Sequence, residues 1–282
     1  MRVRIAEIQA LKERGEPFPC VTAYDYPTAR IADEAGIPLV LVGDSLGNVV
    51  LGYDSTVPVT MDEMLHHLKA VVRGTQHALV VADMPFMSYQ VTEEEAVRNA
   101  GRMLQEGGAQ AVKLEGGHRT ADTVRRLVET GIPVMGHLGL TPQSVNQFSG
   151  YKVQGRTLEG SKALLQDALE LQEAGAFSIV LETVPAPLAK AITGRLTIPI
   201  IGIGAGVGCD GQIQVLHDIL GFTTGFVPKH AKQYTHLSDV ITKALHTYTE
   251  EVRAKVFPAK EHGHALDDKV LRDLLASTDG QQ

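Results

Sequence analysis

Apolar runs closed by a chemically able residue recur along this 282-residue chain, always with that residue at the C-terminal end. Val21–Asp25, Pro38–Asp44 and Ala78–Asp83 end in aspartate; Gln110–Glu115 and Phe177–Glu182 end in glutamate; Ile132–His137 ends in histidine. Two further runs, Ile198–Ile203 and Gly221–Val227, end apolar, so six of eight carry the pattern. Short, nearly continuous apolar runs suit strands buried on both faces, as in a parallel sheet. Polar groups gathered at one set of strand tips are the arrangement of a (β/α)8 TIM barrel, whose active sites sit at the C-terminal rim.

The segments between the runs read as helices. Glu34-Ala-Gly36, Glu106-Gly-Gly108, Glu129-Thr-Gly131 and Glu173-Ala-Gly175 each close an amphipathic stretch just before a strand-like run. A glycine past a helix end can turn left-handed and satisfy the last carbonyls. Thr60-Met-Asp-Glu63 is a capping box, followed by Met61, Met64, Leu65, Leu68 and Val72 at helical spacing. Thr92-Glu-Glu-Glu95 opens another helix. Further helices are expected near 121–129, 161–173, 186–193, 210–218 and 237–256. Serial helix, glycine, strand units build a parallel sheet, and eight of them close a barrel. The expected organisation is one catalytic barrel over 1–264 and a polar tail over 265–282, in which 266–275 could form a short helix.

Bulk properties remove several function classes. The net charge of −7 comes with no basic stripe, which argues against a nucleic-acid surface. No apolar run approaches the roughly 20 residues that cross a bilayer, and the first residues lack the apolar stretch of a signal peptide. Two cysteines, Cys20 and Cys209, do not make a disulfide scaffold; reduced thiols in a cytoplasmic protein are expected. Gly202-Ile-Gly204-Ala-Gly206 lacks the spacing of a dinucleotide loop and reads as a tight turn or a close approach to a ligand.

Side chains two apart on a strand face the same way, so Lys113 and Glu115 point together, either as a structural ion pair or as parts of a site. Asp44, Asp83 and Glu115 come from strands two, three and four. Adjacent strands lie about 4.8 Å apart, so these acids could converge on one cation. Oxygen ligands without a Cys or His cluster suit Mg²⁺ better than zinc. His137 and Glu182 end the next two strands, the first as a site or core histidine, the second as a general base or a helix-capping acid. Ser45 could bond a substrate carboxylate. Asp25 reads as a loop acid bonding backbone amides.

Thr22–Asp25, Val42–Gly47, Ala82–Phe86, Val112–Gly117, Gly136–Ser144, Gly150–Gly155, Leu181–Pro185, Ile201–Gly206 and Asp210–Gln212, in this order, resemble the ketopantoate hydroxymethyltransferase family. The resemblance spans the chain to about His264. It implies a barrel of the phosphoenolpyruvate/pyruvate-binding superfamily that acts on small molecules. The implied reaction moves a hydroxymethyl group from 5,10-methylenetetrahydrofolate, a co-substrate, to 3-methyl-2-oxobutanoate, giving 2-dehydropantoate through a Mg-stabilised enolate. It also implies one Mg²⁺ per subunit on Asp44, Asp83 and Glu115, keto-acid contacts from Asp44, Ser45, Asp83 and Lys113, Glu182 as base, and His137 lining the site. Family members form large cytoplasmic homo-oligomers, often decamers. Thr183 departs from the small residue many members carry beside the base. Two other readings stand beside this one: a superfamily lyase or mutase, for which Cys20 and Cys209 are poorly set, and a ring-forming scaffold without activity.

Overall fold

A computed structural model describes residues 2–278 except 149, 151 and 224–226. Residues Met1–Tyr234 and Thr235–Gln282 form two compact units. In the first, the chain runs α1 (Ile5–Glu13), β1 (Phe18–Thr22), α2 (Tyr26–Glu34), β2 (Leu39–Val42), α3 (Leu46–Val49), α4 (Met61–Gly74), β3 (Leu79–Asp83), α5 (Glu93–Gln105) and β4 (Ala111–Glu115). It continues with α6 (Ala121–Glu129), β5 (Val134–Gly139), α7 (Val145–Phe148), α8 (Leu158–Glu173), β6 (Ser178–Glu182), α9 (Ala186–Thr193), β7 (Ile200–Ile203), β8 (Gly211–Gln214) and α10 (Leu216–Ile219). The eight strands pair in sequence order, all parallel, and β1 closes on β8. The second unit carries α11 (Leu237–Arg253) and α12 (Asp268–Thr278), the latter overlapping the helix expected at 266–275 but starting two residues later.

Local chemistry explains where the elements stop and start. Gly36, Gly108, Gly131 and Gly175 take φ of 80°, 81°, 88° and 97° just past their helices, the left-handed cap the sequence calls for. Thr60 and Glu63 form the reciprocal cap of α4, and Thr92 accepts from the Glu95 amide at the start of α5. Asp25 lies beyond β1 and caps α2 by accepting from the Thr28 amide at 2.8 Å.

Strand alternation sorts the apolar residues into two layers. Leu39, Leu41, Leu79, Val81, Ala111, Met135, Val180 and Ile201 fill the barrel interior, with Ile8 of α1 among them. Val40, Val42, Val80, Val112, Val134 and Ile179 face outward against the helices. The inward parity runs on to the strand tips: Val81 leads to Asp83, Ala111 to Lys113 and Glu115, Met135 to His137, and Val180 to Glu182. One face of each strand therefore supplies core at its start and chemistry at its end.

The last strand falls elsewhere than the sequence suggests. The expected helix over 210–218 holds β8 at Gly211–Gln214 and only a short α10. The expected strand at 221–227 instead begins with Gly221 at φ 60°, closing α10, and its residues 224–226 lie outside the described set. The sequence Gly-Gln-Ile-Gln alternates buried and half-buried residues but has one large apolar residue, too few to read as an apolar run. Gly211 lies against the Phe18 ring, where a Cβ would come within 2.8 Å of the ring edge. Phe18 fills the interior volume that a larger residue would fill in an apolar strand.

Candidate active site

The functional residues come from the tips of β2 to β6. Register sets them side by side: Asp83 pairs across from Lys113, Glu115 from His137, and Gly139 from Glu182. Asp44 follows β2, and its backbone N–H donates to Asp83 Oδ2 at 3.2 Å. Asp44, Asp83, Lys113, Glu115 and His137 are all buried. The predicted site residues thus occupy one rim, and Lys113 and Glu115 share a face as their spacing requires.

Lys113 Nζ lies 2.7 Å from Asp83 Oδ1, 3.8 Å from Glu115 Oε1 and 3.2 Å from His137 Nδ1. His137 Nδ1 is 3.4 Å from Glu115 Oε1, and its Nε2 is 3.4 Å from Glu182 Oε2. Ser45 Oγ shares a 2.8 Å hydrogen bond with the Tyr24 hydroxyl. Glu182 is the most open of these acids, its side chain 16% exposed. It does not cap α9, which starts after Pro185 without a side-chain cap.

The charges do not balance. Burial, then Asp83 and Glu115, hold the Asp44 carboxyl well above the usual range, against the pull of Lys113 and Gln143. Burial also raises Asp83, although Lys113 opposes it. Glu115 goes the other way: burial would raise it, but His137, Lys113 and the Gln143 amide bring it below its ordinary value. Burial and Lys113 press the His137 imidazolium down, yet Glu115 and Glu182 outweigh them and lift it to about 9. Lys113 is likewise penalised by burial and raised overall by Asp83, Glu115 and Asp44. The Lys113–His137 contact is tolerable with both protonated only because Glu115 lies beside each. Counting Glu182, four carboxyl groups meet two cations, Lys113 and His137, so full ionisation would leave the rim short of positive charge, and Asp44 is the group pushed towards its neutral form.

That deficit bears on a metal. Asp44, Asp83 and Glu115 offer hard oxygen donors and surplus negative charge, which fit a divalent cation such as Mg²⁺. Of the described residues, Asp83 Oδ1 meets only the Lys113 ammonium, and Glu115 Oε1 only the looser cationic contacts of Lys113 and His137. Among the described residues no three His, Cys, Asp or Glu side chains already stand at metal-ligand spacing. Lys113 occupies the space between Asp83 and Glu115.

The sequence profile of ketopantoate hydroxymethyltransferases matches residues 2–260. The chain belongs to the ketopantoate hydroxymethyltransferase family. The 3-methyl-2-oxobutanoate hydroxymethyltransferase of Dehalococcoides mccartyi is 60% identical over 282 residues, covering 100% of each chain. That of Chloroflexus aurantiacus is 60% identical over 279 residues, covering 99% of each. Among solved structures, a phosphonopyruvate hydrolase in complex with oxalate and Mg²⁺ superposes with TM-score 0.61 at 10% identity, covering 100% of this chain and 99% of that one. A 2,3-dimethylmalate lyase of the PEP mutase/isocitrate lyase superfamily gives 0.58 at 15% identity, covering 98% and 100%. These structures share the barrel fold with this hydroxymethyltransferase family member.

The site of this family member also uses residues to which sequence reasoning gave no role. Gln143, in the turn after β5, is buried and bonded to both Asp44 and Glu115. Tyr89 bonds Gln143 and the backbone of Glu115, and Tyr24 fixes Ser45. All three are neutral side chains, so no charge pattern marks them. A buried acid needs a donor, and asking which neutral residues could supply one would have pointed to Gln143. Thr183, next to Glu182, has φ 53°, a conformation that β-branched residues strongly avoid. Its N–H donates to Ile203 O at 2.8 Å and its carbonyl accepts from the Gln154 amide at 3.1 Å, which fixes the turn after Glu182.

Proposed function

We propose that the cluster at the tips of β2 to β6 runs the family's reaction. The reaction itself comes with membership: a hydroxymethyl group is transferred to 3-methyl-2-oxobutanoate, a step of pantothenate biosynthesis. One observation carries the assignment of roles. Five successive strands bring three acids, a lysine, a histidine and a more open carboxylate to one rim, at the distances given above.

In this reading Glu182 removes the C3 proton of the keto acid. It is the carboxylate with access to solvent, so it can meet a substrate, and His137 Nε2 beside it orients the carboxylate. Lys113 places a fixed positive charge where the oxygen of the resulting enolate gathers negative charge. Ser45, set by Tyr24, and the Asp44–Asp83 edge bind the keto acid. A Mg²⁺ ion, held by Asp44, Asp83 and Glu115, would supply Lewis-acid charge beside the substrate carbonyl. The one-carbon donor in this reading is 5,10-methylenetetrahydrofolate. We further take the catalytic domain to run to about residue 264, the polar tail to cover 265–282, and the protein to work as a cytoplasmic homo-oligomer, a decamer. The helices of the described residues give no membrane-spanning candidate.

Exchange of the C3 hydrogen of 3-methyl-2-oxobutanoate with deuterated solvent tests the assignment. Glu182→Gln is expected to abolish exchange while the keto acid still binds, as followed by calorimetry. Full exchange in that variant removes Glu182 as the base.

A further inference from the structure

Asp44, Asp83 and Glu115 each have one oxygen tied to a protein N–H and the other left to the charges of the rim. Asp83 Oδ2 accepts from the Asp44 amide at 3.2 Å, while Asp83 Oδ1 faces Lys113 Nζ at 2.7 Å. Glu115 Oε2 accepts from the Gln143 backbone amide at 3.0 Å, while Glu115 Oε1 has the longer contacts to His137 Nδ1 at 3.4 Å and Lys113 Nζ at 3.8 Å. Asp44 Oδ2 accepts from Gln143 Nε2 at 2.9 Å, and no hydrogen bond to Asp44 Oδ1 occurs among the described residues. Two of the three ties therefore come from one neutral residue. A carboxylate held by one oxygen presents the other in a fixed direction.

Gln143 is itself held on every side. Its Nε2 donates a second bond to Met84 O at 2.9 Å. Its Oε1 accepts from the Tyr89 hydroxyl at 2.8 Å and from Gln90 Nε2 at 3.3 Å. The Tyr89 hydroxyl in turn accepts from the Glu115 amide at 3.1 Å. These bonds fix which way the amide faces: with Tyr89 donating to Oε1, the NH₂ must point at Asp44 and Met84. The network spans β3, β4 and the turn after β5, so it sets the Asp44 side chain relative to Glu115 across the rim.

We propose that Gln143 is the positioning residue of the cation site. It ties off one oxygen of Asp44 and one of Glu115 and thereby selects the oxygens left for a divalent ion. The amide suits this task because it gives one N–H to Asp44, anchors itself with the other on the Met84 carbonyl, and adds no charge to the rim. The inference rests on the reading of Asp44, Asp83 and Glu115 as cation ligands. It adds that their competence depends on a residue that touches neither cation nor substrate.

The test titrates Mn²⁺ into the purified protein and reads the free ion by electron paramagnetic resonance. Gln143→Met keeps the backbone bond to Glu115 and the side-chain length but removes the donor to Asp44. It is expected to weaken Mn²⁺ binding about 10-fold or more, the range seen when groups that orient metal ligands are lost. A purely structural role would lower the melting temperature and leave the Mn²⁺ affinity of the folded protein unchanged, and that result overturns the proposal. Should Gln143→Met fail to fold, Tyr89→Phe removes only the hydroxyl that orients Gln143. A several-fold loss of Mn²⁺ affinity in Tyr89→Phe supports the proposal, and unchanged affinity overturns it. A wild-type protein that binds no Mn²⁺ defeats the ligand reading itself, whereas a binding wild type with unaffected variants defeats only the role of Gln143.

Discussion

At the N-terminal ends of the strands, Asp33 accepts from the backbone amides of Gln76, His77 and Ala78 at 2.9, 2.9 and 2.6 Å. At the C-terminal ends, Asp83 and Glu115 instead share one lysine, Lys113 Nζ lying 2.7 Å from Asp83 Oδ1 and 3.8 Å from Glu115 Oε1. The same contrast runs through the neighbouring groups. On the floor, Arg2 donates to the carbonyls of Thr75 and Ala78, and Lys12 pairs with Asp210, which also accepts from the Ile200 amide. At the rim, like charges crowd together and Asp44 is pushed towards its protonated form. Both ends give their acids fixed donors, yet only at the rim do several carboxyl groups also crowd one another. The floor therefore holds the strands in place, while the proposed site at the rim keeps its carboxyl groups crowded rather than individually settled.

This difference can be broken or sharpened by substitution. Asp44→Asn is expected to lower turnover by roughly 10²–10³-fold, the scale of losing one well-placed electrostatic group. Because the carboxylate is crowded by Asp83 and Glu115, the same variant should unfold in urea without divalent ions no more easily than wild type. Marked destabilisation would mean that the rim is built for stability after all. Asp33→Asn on the floor should do the reverse, losing about 2–3 kcal/mol of stability while the folded fraction keeps its turnover. Its pH dependence has a definite sign. Burial alone would raise Asp33, but the bonds from Ala78, Gln76 and His77 bring it below its ordinary 3.8. A depressed carboxylate stabilises fully above its unfolded value, so the gap between wild type and Asp33→Asn should persist at neutral pH and close as pH falls below that value. Urea titrations at several pH values check this.

The smallest effect expected is at Thr183. Thr183→Gly relieves a left-handed β-branched residue and is expected to add about 1 kcal/mol of stability. Turnover should fall, because the turn that aims Glu182 becomes looser. Higher stability with unchanged turnover would show that this backbone geometry does not serve the base.

Much of this was legible in the chain because it follows from local rules. The period of two along Ala111-Val-Lys-Leu-Glu115 puts Lys113 and Glu115 on one face whatever the rest of the protein does. The glycine stops and the Thr60 and Thr92 caps mark helix ends through bonds reaching only a few residues. Gly211–Gln214 escaped because a strand whose volume is filled by Phe18 from another strand leaves no apolar run of its own. Gln143 escaped because a neutral side chain in a turn shows its importance only through its partners.

Sequence by itself determined the alternation, the caps and the succession of units, and with them a parallel barrel with its chemistry at one rim. Tertiary structure alone decided that Gln143 meets Asp44, 99 residues away, and that Lys113 enters between Asp83 and Glu115. Dihedral preferences and periodicity are properties of neighbouring residues. Hydrogen bonds across a closed barrel, and the charge states they impose, exist only once closure has brought distant strands within reach.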